Sequence, residues 1–101
     1  MAVVMPNHVH VIFTPLVDAE GWTYSLPDIM RRIKSRSAVE VNRLLRRQGR
    51  VWQAESFDHV LRSNESLAEK VDYVAQNPVR AGIAVSEDSY PCLWRGPIPL
   101  L

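Results

Sequence analysis

Two histidines separated by a single residue, His8 and His10, stand in the run Pro6-Asn7-His8-Val9-His10-Val11-Ile12-Phe13, and much later Tyr73 precedes Asn77 by four positions. Side chains at i and i+2 of an extended strand point to the same side, so both imidazoles can reach one metal ion while Val9 faces away. Residues four apart on a helix share a face, so a phenol and an amide can approach that ion together. The two pairs define a candidate metal site with a phenol beside it.

These side chains need elements to hold them. Residues 2 to 14 are rich in Val and Ile and end at Thr14-Pro15, which predicts a buried strand. Asp18, Gly21 and Ser25 give residues 16 to 25 turn chemistry. A helix is expected from Ser25 or Asp28, with Pro27 suited to its first turn, to about Gln48, where Gly49 can stop it. Met30, Ile33, Ser37, Val41, Leu44 and Leu45 form its inward stripe.

Residues 53 to 62 alternate as a second strand, with Phe57, His59 and Leu61 on one side. Ser63 offers a cap for a second helix running to about Gln76. On that helix Leu67, Val71, Val74 and Ala75 cluster into a core stripe, while Tyr73 lies roughly 145° and Asn77 roughly 105° from its centre. Tyr73 is therefore not placed as a core aromatic. Pro78 directly after Asn77 should end the helix, leaving side chains free to project into a groove. A short strand over Ile83-Ala84-Val85 and an irregular tail over residues 86–101, with Pro91, Pro97 and Pro99, complete the pattern.

A chain of 101 residues with 47% hydrophobic content fits one small domain, residues 1–101, near the lower size at which a core sustains itself. No apolar run is long enough to span a membrane, and the first residues lack the charged and apolar segments of a secretory signal, so a cytoplasmic protein is expected. Cys92 is the single cysteine, which excludes an internal disulfide and a cysteine zinc site.

Net charge is only +1, yet the basic residues are unevenly spread. Arg31, Arg32, Lys34, Arg36, Arg43, Arg46, Arg47 and Arg50 face a single acid, Glu40, within the segment from Arg31 to Arg50. Such a local excess can follow a phosphate backbone in a nearly neutral protein, although an isolated charge run is also what a solvated helix face looks like. Trp52 reads as a packing residue, with stacking on single-stranded bases as the other role open to it. His59 reads as a core or hydrogen-bonded histidine that can also approach the site.

Several ordered motifs together resemble one family. His8-Val9-His10 after Met5-Pro6-Asn7, then Val51-Trp52-Gln53, Phe57-Asp58-His59-Val60-Leu61-Arg62, and Val71-Asp72-Tyr73-Val74-Ala75-Gln76-Asn77-Pro78-Val79-Arg80-Ala81-Gly82 resemble the REP-associated tyrosine transposases, a branch of the single-tyrosine HUH transposases. The resemblance runs from Val3 to about Trp94. It implies a ferredoxin-like α+β HUH core, an antiparallel sheet with two main helices. It implies Tyr73 as nucleophile, His8, His10 and Asn77 as ligands of Mg2+ or Mn2+, and single-stranded or hairpin DNA as partner.

The implied activity is a metal-dependent DNA endonuclease and strand transferase working through a covalent 5′-phosphotyrosine. A tyrosine oxygen can form a phosphodiester and later be displaced, which conserves the energy of the cut bond. A free phenol, with a pKa of about 10, needs a nearby cation or base to attack at neutral pH. A metal would polarise the scissile phosphate, although two imidazoles are softer ligands than magnesium prefers. Arg80 and the basic residues Arg31, Arg32, Lys34, Arg36, Arg43, Arg46 and Arg47 are the expected phosphate contacts.

Members of that family carry a further strand and helix ahead of the segment that begins here at Met1, so the resemblance implies an N-terminally truncated core. Three accounts fit: a start assigned too late, a catalytically inactive remnant that still binds DNA, or a homodimer that completes the sheet between chains. A metal hydrolase using a water nucleophile is the third chemical reading, and it would tolerate loss of Tyr73.

Overall fold

The computed structural model describes residues 1–62 and 65–96. The expected helix cap at Ser63 and the tail prolines Pro97 and Pro99 lie outside the described residues. The chain forms two compact units, Met1–Phe13 with Val60–Leu101 and Thr14–His59.

The first unit is built on a three-stranded antiparallel sheet in the order β2-β1-β3, with β1 Ala2–Val4, β2 Val9–Val11 and β3 Leu93–Trp94. The single strand expected over residues 2 to 14 is instead a hairpin. Pro6-Asn7 turns the chain, and the Met5 N–H donates to the His8 carbonyl at 2.8 Å to close it. Proline has no N–H and a fixed φ, so it suits the turn better than an uninterrupted ladder.

The register pairs Ala2 with Val11, Val3 with His10 and Val4 with Val9. Residues directly opposite in an antiparallel pair share a face. Val3, fully buried, and Met5, buried, therefore define the covered face of the hairpin, and the histidines lie on that same face. Val4 and Val11, on the other face, are exposed.

Residues 86–96 are more ordered than the sequence suggests. Leu93 pairs with Val3 and Trp94 with Ala2, so β1 becomes the central strand. A one-turn 3₁₀ helix, Glu87–Ser89, leads into it. The Glu87 carboxylate accepts from Gln76 Nε2 and pairs with Arg95, tying the tail to the end of the second helix. The Tyr90 hydroxyl donates to the Val4 carbonyl at 2.5 Å. Proline content alone does not register such long-range partners.

Helix α2 spans Leu67–Ala75, capped by Ser66, whose hydroxyl accepts from the Glu69 N–H. A four-residue helix, α3, follows at Asn77–Arg80. Ala75 and Pro78 are buried, Val71 and Val74 half-buried, and Leu67 exposed, so the expected core stripe holds at its C-terminal end. The expected strand Ile83-Ala84-Val85 does not form. Gly82 takes a left-handed φ of 75° and Val85 is almost fully exposed.

The second unit centres on helix α1, Leu26–Leu45, with Ser25 as cap and Pro27 in the first turn. Ahead of it, Asp18 Oδ1 accepts from the Glu20 and Trp22 N–H groups, and Val17 bridges Thr23. The helix ends before Gly49, because Arg46 adopts the left-handed conformation at φ 49°. Its N–H donates to the Arg43 carbonyl and the Arg47 N–H to that of Asn42, a Schellman closure. Within the expected inward stripe Met30, Ser37 and Val41 are half-buried, whereas Ile33, Leu44 and Leu45 are exposed.

Residues 53 to 62 form no strand. Alternation describes a face only when a neighbouring strand supplies hydrogen bonds, and Phe57 and Val60 are exposed. Across the described residues the architecture is α+β, with α1 and α2 its main helices. No helix of the described residues is long and apolar enough to cross a membrane.

Two stability measurements follow from these closures. Tyr90→Phe should lower unfolding stability by about 1 kcal/mol in urea titration, the net worth of one hydroxyl hydrogen bond; no change would mean that the Val4 contact does not hold the tail. Arg46→Gly should raise stability by about 0.5–1 kcal/mol, since relief of left-handed strain exceeds the entropy that glycine adds to the unfolded chain. A decrease in melting temperature would contradict that balance.

Candidate metal and phosphate site

His8 precedes β2 at the hairpin turn and His10 lies within it. Their ring centroids are 4.9 Å apart in an edge-to-face arrangement. The two rings therefore meet although His8 lies outside the strand, beside the Met5–His8 closure of the turn. His8 Nδ1 donates to Asn7 Oδ1 at 2.7 Å, leaving its Nε2 lone pair available for a metal. His10 is half-buried, and its pKa is lowered from 6.5 chiefly by burial, then by the charges of His8 and Arg80. A neutral imidazole is the ligand form.

Tyr73 is 64% exposed on α2, as its distance from the core stripe predicts. The helical path does not stop before Pro78. Gln76 caps α2 with right-handed dihedrals, φ −79° and ψ −5°, and Pro78 falls in the first turn of α3, where its missing N–H is tolerated. Tyr73, Asn77 and Arg80 thus lie at i, i+4 and i+7 along one stripe. The Arg80 guanidinium carbon sits 3.9 Å from the Tyr73 ring centroid, a cation–π contact. Its Nη2 donates to Asn77 Oδ1 at 3.5 Å.

Arg80 touches Tyr73 and Asn77 directly, and after burial and His8 its charge also lowers the pKa of His10. The sequence suggested Arg80 as a phosphate contact, not as the partner of Tyr73. Its seven-residue spacing from the tyrosine was the available signal, hidden by the expectation that Pro78 ends the helix.

The two imidazoles, one hydrogen-bonded to Asn7 and one with its pKa lowered chiefly by burial, are ligands that suit a divalent cation of intermediate softness. Among the described residues no three of His, Cys, Asp or Glu are grouped to hold a metal.

The basic residues of α1 belong to the second unit. Arg31 pairs with Asp28 at 3.4 Å and Arg43 with Glu40 at 2.7 Å, both in solvent where screening weakens such pairs. Lys34 is half-buried and donates to the Gln53 and Glu55 carbonyls at 3.0 and 3.4 Å, so it holds the following segment against the helix. Arg47 donates to the Arg50 carbonyl at 3.1 Å. Arg32, Arg36 and Arg46 are exposed. Trp52 is half-buried and its Nε1 donates to Ser37 Oγ at 2.8 Å, a packing role. His59 is exposed.

No family model matches the sequence. No solved structure matches it either. A curated protein of Haemophilus influenzae named "Putative REP-associated tyrosine transposase" is 22% identical over 93 residues, covering 87% of this chain and 53% of its own length. The chain spans about half the length of that relative.

The electrostatic link can be read directly by NMR in the metal-free protein. His10 should titrate below the ordinary histidine value of about 6.5. Arg80→Ala removes a repelling charge and admits water, and both changes favour the imidazolium, so the His10 pKa should rise. An unchanged or lower value would place Arg80 outside the site.

Proposed function

We propose that this chain carries the catalytic residues of a transposase-like enzyme that cuts and rejoins single-stranded DNA through Tyr73. The observation that carries the reading is the placement of a phenol, an amide and a guanidinium on one helical stripe, beside a first hairpin that holds two imidazoles in edge-to-face contact. The similarity to the Haemophilus influenzae protein, in its name a tyrosine transposase, supports the same class.

In this reading His8, His10 and Asn77 would hold the divalent cation, which when bound would polarise the scissile phosphate. The Tyr73 oxygen attacks phosphorus in line as its proton passes to solvent. The bond to the 3′-oxygen breaks, and that oxygen takes up a proton to leave a free 3′-hydroxyl and a 5′-phosphotyrosine. Exposure of Tyr73 suits attack on a strand arriving from solvent. Arg80, beside the phenol, can meet the phosphate charge and favour the phenolate. Exposed Arg32, Arg36 and Arg46, together with Arg31, Arg43 and Arg47, would track the DNA backbone by charge.

Labelled single-stranded hairpin DNA incubated with Mn2+ and resolved by denaturing electrophoresis should give a covalent protein adduct. Tyr73→Phe should reduce that adduct by more than about a thousandfold while hairpin binding persists. Cleavage without any adduct would indicate a water nucleophile. Salt-sensitive binding without cleavage would indicate a non-catalytic DNA-binding protein.

A further inference from the structure

The geometry points to Arg80 as an internal competitor for the metal: in the DNA-free protein its guanidinium occupies Asn77 Oδ1 beside Tyr73, and a strand phosphate must draw it away before a divalent cation binds fully. This inference rests on reading His8, His10 and Asn77 as the cation site.

Two contacts place the guanidinium there. Its carbon lies 3.9 Å from the Tyr73 ring centroid, and its Nη2 donates to Asn77 Oδ1 at 3.5 Å. The amide oxygen is thereby partly spent, because a lone pair that accepts from a guanidinium is a poorer metal ligand.

Neither hold on Arg80 is strong. The bond to Asn77 is long for an N–H···O contact, and the residue is exposed, so a phosphate offering two oxygens to the planar guanidinium outcompetes the amide. Moving the guanidinium onto phosphate releases the amide oxygen. Metal and DNA therefore bind as a coupled pair, each tightening the other by the same factor. Free protein would hold its metal weakly, which keeps the nucleophile idle until a strand is present.

Mn2+ binding by electron paramagnetic resonance tests this without turnover, using (dT)16 as a phosphate-bearing single strand. In the wild-type protein, saturating (dT)16 should tighten Mn2+ binding about tenfold, and saturating Mn2+ should tighten (dT)16 by an equal factor. Arg80→Gln should bind Mn2+ about tenfold more tightly than wild type without DNA, and (dT)16 should add less to it. Equal Mn2+ affinities in the wild type and Arg80→Gln, or equal tightening of both by (dT)16, would overturn the competition while leaving the metal site standing. Absence of saturable Mn2+ binding in both proteins, with and without (dT)16, would remove the metal-site reading and this inference together.

Discussion

The antiparallel register of the first hairpin is the constraint on which the candidate site depends. Pairing Val3 with His10, and Met5 with His8 at the turn, puts both imidazoles on the face that carries the buried residues Val3 and Met5. A slip of one residue would move both histidines to the exposed face with Val4 and Val11. The register is fixed by burial on one face and by the position of the Pro6-Asn7 turn. The tail contributes as well, since β3 pairs with β1 and Tyr90 holds the Val4 carbonyl.

Charge within the site is organised around Arg80. A cation stacked on an aromatic ring has no need of a carboxylate, and among the described residues none pairs with it. Burial, then the charges of His8 and Arg80, lower the pKa of His10 and so favour its neutral form.

The arginine-rich helix shows how unequal formally similar cations become in a fold. Lys34 is committed to backbone carbonyls, and Arg31 and Arg43 have acidic neighbours one turn away. Arg32, Arg36 and Arg46 remain exposed, and Arg46 does so from a left-handed backbone that a glycine would adopt with less strain. Exposed guanidinium groups attract phosphate at long range and read little sequence.

The residue types of the site, the i, i+2 spacing of its histidines and the off-core position of Tyr73 were legible in the chain, because strand and helix periodicities are local properties. So were α1 with its Ser25 cap and the turn chemistry of residues 16 to 25. The sequence missed what depends on distant partners: residues 53 to 62 alternate without forming a strand, while Leu93-Trp94, too short to notice, completes a sheet with the first strand. Pro78 looked like a stop and proved to lie in the opening turn of α3, so the reach of Arg80 over Tyr73 was decided only by the folded structure. Local pattern specifies which way a side chain points; only the assembled backbone specifies what it meets there.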